Sequence, residues 1–173
     1  MFNRTTVVVS LLCLVLPAAT FAQGFTQGDK VLSLGGSGDS DDEFIDNDFA
    51  FEGSFSYFFT DSLEGAIRQG LGYDDVSGND DEWAAATRVA LDYNFDMGRW
   101  WPFLGGSFGY IYGDAVDDTF VAGPEAGVRY FVNETTFILG LIEYEFFFDD
   151  SDDVDDAFDD GRFVYTLSMG FRW

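Results

Sequence analysis

The chain has no histidine, one cysteine, three prolines and only eight Lys and Arg among 173 residues. Without histidine, the side chain that titrates near neutrality and most often serves as general base is missing. The one cysteine, Cys13, falls in an N-terminal segment that reads as cleavable, so the mature chain has no disulfide to form. The shortage of bases against 32 Asp and Glu gives a formal net charge of -24, which argues against nucleic acid or other polyanionic partners. A long apolar run is also missing. The run Val7 to Leu16 is too short to cross a bilayer as a helix, and nothing after residue 22 reads as a membrane helix.

That run has another reading. Asn3 and Arg4 precede it, and Ala18, Ala19 and a Thr20-Phe-Ala22 cleavage site follow it, before Gln23. A short positive start, an apolar core and small residues at the cut predict a secretory signal peptide over 1–22 and one mature domain over 23–173. A lipid anchor at Cys13 is disfavoured, because Leu11 and Leu12 stand where small residues belong.

What the mature chain has in abundance is aromatic surface: 21 Phe, 8 Tyr and 4 Trp, with 47% of residues hydrophobic. High acidity alone would suggest disorder, and this aromatic content contradicts it. The charges are segregated. Eight strands are predicted, over 29–38, 49–59, 63–73, 83–95, 101–112, 119–132, 136–148 and 162–173. Three connections are short: Thr60 to Ser62, Asp96 to Trp100 and Asn133 to Thr135. The other four run Asp39 to Asp48, Asp74 to Glu82, Gly113 to Asp118 and Asp149 to Gly161, and they contain no Lys or Arg. Short turns at one end, longer loops at the other and an even strand count describe an eight-stranded antiparallel transmembrane β-barrel.

Side-chain alternation gives each strand two faces. In the last strand Phe163, Tyr165, Leu167, Met169, Phe171 and Trp173 share one face, and Arg162, Val164, Thr166, Ser168, Gly170 and Arg172 share the other. Elsewhere Glu64 and Arg68 lie opposite Leu63, Ile67 and Leu71; Arg88 and Asp92 opposite Val89, Leu91 and Tyr93; Glu125 and Arg129 opposite Phe120, Val128 and Tyr130. Glu52 lies opposite Phe51 and Phe55. Glu143 and Glu145 share their face with Phe137, Leu139 and Leu141, which makes strand seven the least segregated. An Arg turned to lipid at midplane would cost about 2–4 kcal/mol. The charged faces therefore point inward, and Glu52, Glu64, Arg68, Arg88, Asp92, Glu125, Arg129, Glu143, Glu145 and Arg172 are expected to form internal ion pairs.

Aromatics at the strand ends predict two interfacial girdles. Tyr93, Phe95, Trp100, Trp101, Tyr130 and Trp173 belong to the turn end; Tyr73, Trp83, Tyr110, Tyr112 and Tyr165 belong to the loop end. Pro124 predicts a bulge or local distortion, because proline removes a ladder donor.

Tyr57-Phe-Phe-Thr-Asp-Ser-Leu63, Gly127-Val-Arg-Tyr-Phe-Val132 and the terminal Phe171-Arg-Trp173 resemble segments of OmpA-like and OmpW-like outer-membrane barrels. The resemblance implies an outer-membrane location with both mature termini in the periplasm. It also implies contact with lipid and lipopolysaccharide, and transient recognition of Phe171 and Trp173 by the barrel-assembly machinery. A monomer is expected. The periplasmic peptidoglycan-binding domain of full-length OmpA-type proteins is not expected here.

Two functions follow as expectations. One is a structural barrel, its lumen plugged by Arg–Glu pairs, that displays acidic loops. The other, implied by the OmpW-like resemblance, is a narrow conduit for small or apolar solutes, with lumen glycines leaving space. An enzyme is not expected: small barrel enzymes of the resembling kind use a histidine beside a serine or an aspartate. No cofactor is expected. Asp149, Asp150, Asp152, Asp153, Asp155, Asp156, Asp159 and Asp160 could bind Ca²⁺ or Mg²⁺ weakly, but lack the EF-hand glycine, so a solvated loop is the favoured reading.

Overall fold

The computed structural model describes residues 24–40, 49–74, 82–114, 116, 118–148 and 161–173. The expected signal peptide and the metal candidates Asp149 to Asp160 lie outside the described residues. Within them the chain forms β1 (Lys30–Ser40), β2 (Phe49–Phe58), β3 (Leu63–Asp74), β4 (Glu82–Asn94), β5 (Trp100–Gly113), β6 (Thr119–Phe131), β7 (Thr136–Phe148) and β8 (Arg162–Arg172). Each strand pairs antiparallel with its neighbours in sequence, and β1 pairs with β8, so the sheet closes into a barrel.

The register fixes the barrel's proportions. A path along the register leaves Lys30 for Tyr57, Gly65, Leu91, Gly106 and Pro124, crosses the interrupted β6–β7 ladder to Tyr144 in the register kept by the pairs on either side, and goes through Phe163 back to β1 at Ser40. A stagger of this size tilts eight strands steeply and leaves an interior only wide enough for side chains. Closure also removes every free sheet edge, which a strand protein in lipid requires.

The strands end where the sequence loses its alternation. At the β2–β3 turn, Thr60 Oγ1 accepts from the amides of Ser62 and Leu63. At the β6–β7 turn, Asn133 Oδ1 accepts from the amides of Thr135 and Thr136. These side-chain acceptors replace the ladder partners that a reversing chain leaves behind. The β4–β5 connection uses Gly98 at φ 75°, where a side chain would be strained.

Pro124 distorts the sheet without a bulge. β6 and β7 pair from Phe120–Phe148 to Ala122–Phe146, then resume at Glu125–Glu143 with the register unchanged. The pairs at Gly123 and Pro124 are missing, whereas Gly106–Pro124 on the β5 side is kept. Proline has no amide hydrogen to donate, so the ladder opens there and no residue is inserted.

The apolar faces point outward. Phe51, Phe55, Ile67, Leu71, Val89, Leu91, Leu104, Phe108 and Leu167 are all exposed. Gln69 and Thr87 are polar side chains on this outer face, and they satisfy each other: Thr87 Oγ1 donates to Gln69 Oε1 at 2.7 Å. Pairing lowers the cost of polar groups facing hydrocarbon.

Candidate functional site: the barrel lumen

The inward faces bring most of the sequence-predicted charges together, in three tiers. Nearest the loop end, Arg88 of β4 donates through Nε to Glu145 Oε1 at 2.6 Å and lies 3.8 Å from Glu52 of β2. Glu145 also accepts from Arg162 Nε at 2.9 Å, which joins β7 to β8.

In the middle tier the Arg68 fork grips Glu125 with both terminal nitrogens, Nη1 to Oε2 at 2.7 Å and Nη2 to Oε1 at 2.5 Å. This planar, bidentate geometry is the strong form of an ion pair. The same Nη2 lies 3.5 Å from Asp92, and Nη1 lies 3.9 Å from Glu143, which also accepts from Ser107 Oγ. One guanidinium thus ties β3 to β4, β6 and β7 across the lumen.

In the third tier Arg129 of β6 meets Glu64 of β3 at 2.7 Å. Asn94 accepts from Arg129 and donates to Glu64 Oε2 at 3.2 Å. The Arg129 guanidinium lies over Phe103, 4.3 Å from the ring centroid. Desolvated contacts of this kind stabilise by about 2 kcal/mol. Glu64, Asp92 and Glu145 are 0% exposed, so these carboxylates rely on protein partners.

Beneath this tier the lumen turns apolar, which the sequence reading did not anticipate. Phe25, Val31, Phe58, Trp101, Phe103, Phe131, Phe137, Leu139 and Leu141 form one buried cluster. Phe25 precedes β1 and enters the barrel mouth, where it stacks on Phe58 at 4.2 Å and meets Trp101, Phe131 and Phe137. Two sequence assignments change here. Trp101, expected in the girdle, is 2% exposed and lies inside, with its indole Nε1 donating to Gly98 O at 2.9 Å. Its parity in β5 matches Phe103 and Ser107, not Trp100. Arg172, expected among the lumen pairs, sits instead at the rim: Nη1 reaches Asp29 at 3.1 Å and the Gly24 carbonyl, and Nε reaches the Glu134 carbonyl. It fastens the segment that carries Phe25.

The girdle residues Tyr93, Trp100 and Trp173 face outward at the turn end. At the loop end the Trp83 indole donates to Asp114 at 2.8 Å, and Tyr110 donates to Asp118 at 3.1 Å. The side chain of Tyr73 lies outside the described residues. Of the assembly-signal candidates, Phe171 and Trp173 both project outward from the end of β8.

Four of the lumen glycines are occupied space. A methyl group on Gly109 would come within 2.6 Å of Arg88 Cγ. One on Gly105 would meet the Asp92 carboxylate, one on Gly127 the Phe103 ring, and one on Gly170 the Phe137 ring. Each of these four makes room for a plug side chain, not for a solute.

Solved structures share this architecture. The N-terminal β-barrel domain of Pseudomonas aeruginosa OprF matches with a TM-score of 0.65 at 18% identity, covering 85% of this chain and 98% of that one. The fold is that of a small outer-membrane β-barrel. The outer membrane protein OprG of Pseudomonas aeruginosa matches the barrel at 0.60 and 17% identity, covering 87% and 98% of the two chains. Neisserial surface protein A matches it at 0.58 and 18% identity, covering 84% and 96%. No protein-family model matches the sequence, and no curated protein does. At these identities the likeness concerns the fold, and the barrel's role has to be argued from its lumen.

Proposed function

We propose that this protein is a structural element of the outer membrane, a closed barrel that displays acidic loops at the cell surface and conducts no solute. The observation that carries this reading is the stacking of two seals in one lumen. Three guanidinium–carboxylate tiers cross the barrel, and an aromatic floor around Phe25 lies beneath them. Passage of even a small solute requires breaking ion pairs in the dry interior, where one charge left without its partner costs about 3–5 kcal/mol. The alternative of a narrow conduit drew on lumen glycines as free space, and at Gly105, Gly109, Gly127 and Gly170 that space is filled by Asp92, Arg88, Phe103 and Phe137.

The outer face supports residence in lipid, through its exposed Leu, Ile, Val and Phe between bands of Trp and Tyr. In this reading the acidic loops meet water and lipopolysaccharide, and the outward Phe171 and Trp173 present the segment recognised during assembly. Liposome swelling with small sugars and amino acids tests the proposal. Proteoliposomes should swell no faster than empty liposomes, and solute-dependent swelling would overturn the closed reading.

A further inference from the structure

The lumen's charges do not balance. Among the described residues six carboxylates face it (Glu52, Glu64, Asp92, Glu125, Glu143 and Glu145), against the guanidiniums of Arg68, Arg88, Arg129 and Arg162. Burying an unpaired charge is far more costly than burying a neutral acid, so such a group neutralises instead. The least compensated position can be read from the hydrogen bonds. Glu125 holds both ends of the Arg68 fork, and Glu145 holds Arg88 and Arg162. Glu64 holds Arg129 and Asn94, and Glu143 accepts from Ser107. Two acids remain: Glu52, 6% exposed, has the 3.8 Å contact to Arg88, and Asp92, 0% exposed, has the 3.5 Å contact to Arg68 Nη2, a nitrogen already committed to Glu125 at 2.5 Å. Asp92 Oδ1 is buried with no hydrogen-bond partner; Glu64 Oε1 is too, but Glu64 keeps Arg129 at 2.7 Å on its other oxygen, which leaves Asp92 the least compensated of the fully buried acids.

We propose that Asp92 binds a proton in the folded barrel and shares it with Glu125, so that the lumen contains a carboxylic acid–carboxylate pair at its centre. Both groups approach the same Arg68 nitrogen, Glu125 at 2.5 Å and Asp92 at 3.5 Å. The neighbouring elements explain why a proton and not a second guanidinium completes the site. β3 presents Glu64, directly opposite Asp92 in the ladder, together with Arg68. β2 presents Glu52, and β4 itself adds Arg88 and Asn94. β5 presents Gly105, whose missing side chain is the space the Asp92 carboxyl fills. β6 presents Glu125 and Arg129, and β7 presents Glu143. Two carboxylates directly opposite on adjacent strands repel each other. Protonating Asp92 removes that repulsion and supplies the one donor the pair lacks, while Glu125 stays ionised for Arg68. A metal ion is a poorer fit, since no three acids among the described residues are arranged to hold one.

This inference rests on the sealed lumen proposed above, and the two can fail separately. Infrared difference spectra of the refolded full-length barrel at neutral pH, wild type against Asp92→Asn, read the proton directly. The expected result is a protonated-carboxyl C=O band in the wild type that shifts in D₂O and disappears in Asp92→Asn. Should that variant not fold, the band is sought in the wild type alone at pH 8, where solvated acids are ionised. Absence of the band in either experiment overturns the proposal, as does its persistence in folded Asp92→Asn. Unfolding rates give a second readout. A folded state that binds one more proton than the unfolded chain loses stability as pH rises. Wild type should therefore unfold faster from pH 7 to 10, while Asp92→Asn stays within about twofold of its own pH 7 rate. Parallel pH slopes in the two proteins, or a wild-type stability that depends on sodium against potassium at fixed pH, would sink the idea. A conducting barrel with the band intact removes the plug and keeps the proton; a silent barrel without the band removes only the proton.

Discussion

Arg129→Met removes the guanidinium that holds Glu64 and leaves a carboxylate with 0% exposure facing Asn94 alone. Removing one partner of a buried pair costs about 3–5 kcal/mol, because the other charge stays in the dry interior. The methionine chain recovers part of the packing against Phe103, so the ring contact at 4.3 Å adds less than its full value. Glu64→Gln keeps the shape and loses the charge-assisted bond, at about 1.5–3 kcal/mol. In the double variant neither charge remains, and it should be more stable than Arg129→Met alone. The coupling energy from the cycle is expected to be about 2 kcal/mol or more. Reversible urea unfolding of the refolded barrel in detergent or lipid, followed by tryptophan fluorescence, gives all four stabilities. A cost below about 1 kcal/mol for Arg129→Met, or strictly additive effects, would refute the claim that this pair is dry and tightly coupled.

Other outcomes follow from the same packing. Gly127→Ala pushes a methyl into the Phe103 ring and should destabilise by about 1–3 kcal/mol, whereas Gly140→Ala, with open space around its Cβ, should be neutral or stabilising; urea midpoints of the two decide. In variants retaining a single tryptophan, brominated lipids should quench Trp100 strongly and Trp101 hardly at all, since only Trp100 faces outward; equal quenching would return Trp101 to the girdle. Phe25→Ala should cost about 3–5 kcal/mol by emptying the centre of the aromatic floor, measured by the same unfolding assay.

The strands were legible because a transmembrane barrel segregates its faces more strongly than a soluble sheet does. Along β3, β4 and β6 the charged residues in the middle of the membrane all lie on the inward face, opposite an outer set that is apolar but for Gln69 and Thr87, and the predicted ends lie within about two residues of those observed, as is usual for strand boundaries. The ion pairs were legible for the same reason, although their pairing was not: Arg68 choosing Glu125, and Arg88 choosing Glu145, depends on the stagger accumulated around the barrel. The aromatic floor was missed because it breaks the rule that inward faces are polar. At the turn end both faces are aromatic, so Trp101 and Trp100 look alike unless parity is carried down from Ser107. The mixed face of β7 held the signal, since Phe137, Leu139 and Leu141 below Glu143 and Glu145 trace the change from charged tiers to floor in one strand. Phe25 precedes every strand, and no periodicity marks it. Arg172 shares its parity with the lumen but stands at the last position of β8, where the rim replaces the interior.

The claim on which the rest depends is that the lumen is shut by its own side chains. Single-channel recording of the purified, refolded barrel in planar bilayers at neutral pH addresses it most directly. The account predicts a silent membrane, with no unitary steps in wild type and none in Phe25→Ala, because the Arg68 and Arg88 tiers stay closed when the floor is opened. Stable, reproducible unitary conductance in the wild type would contradict it.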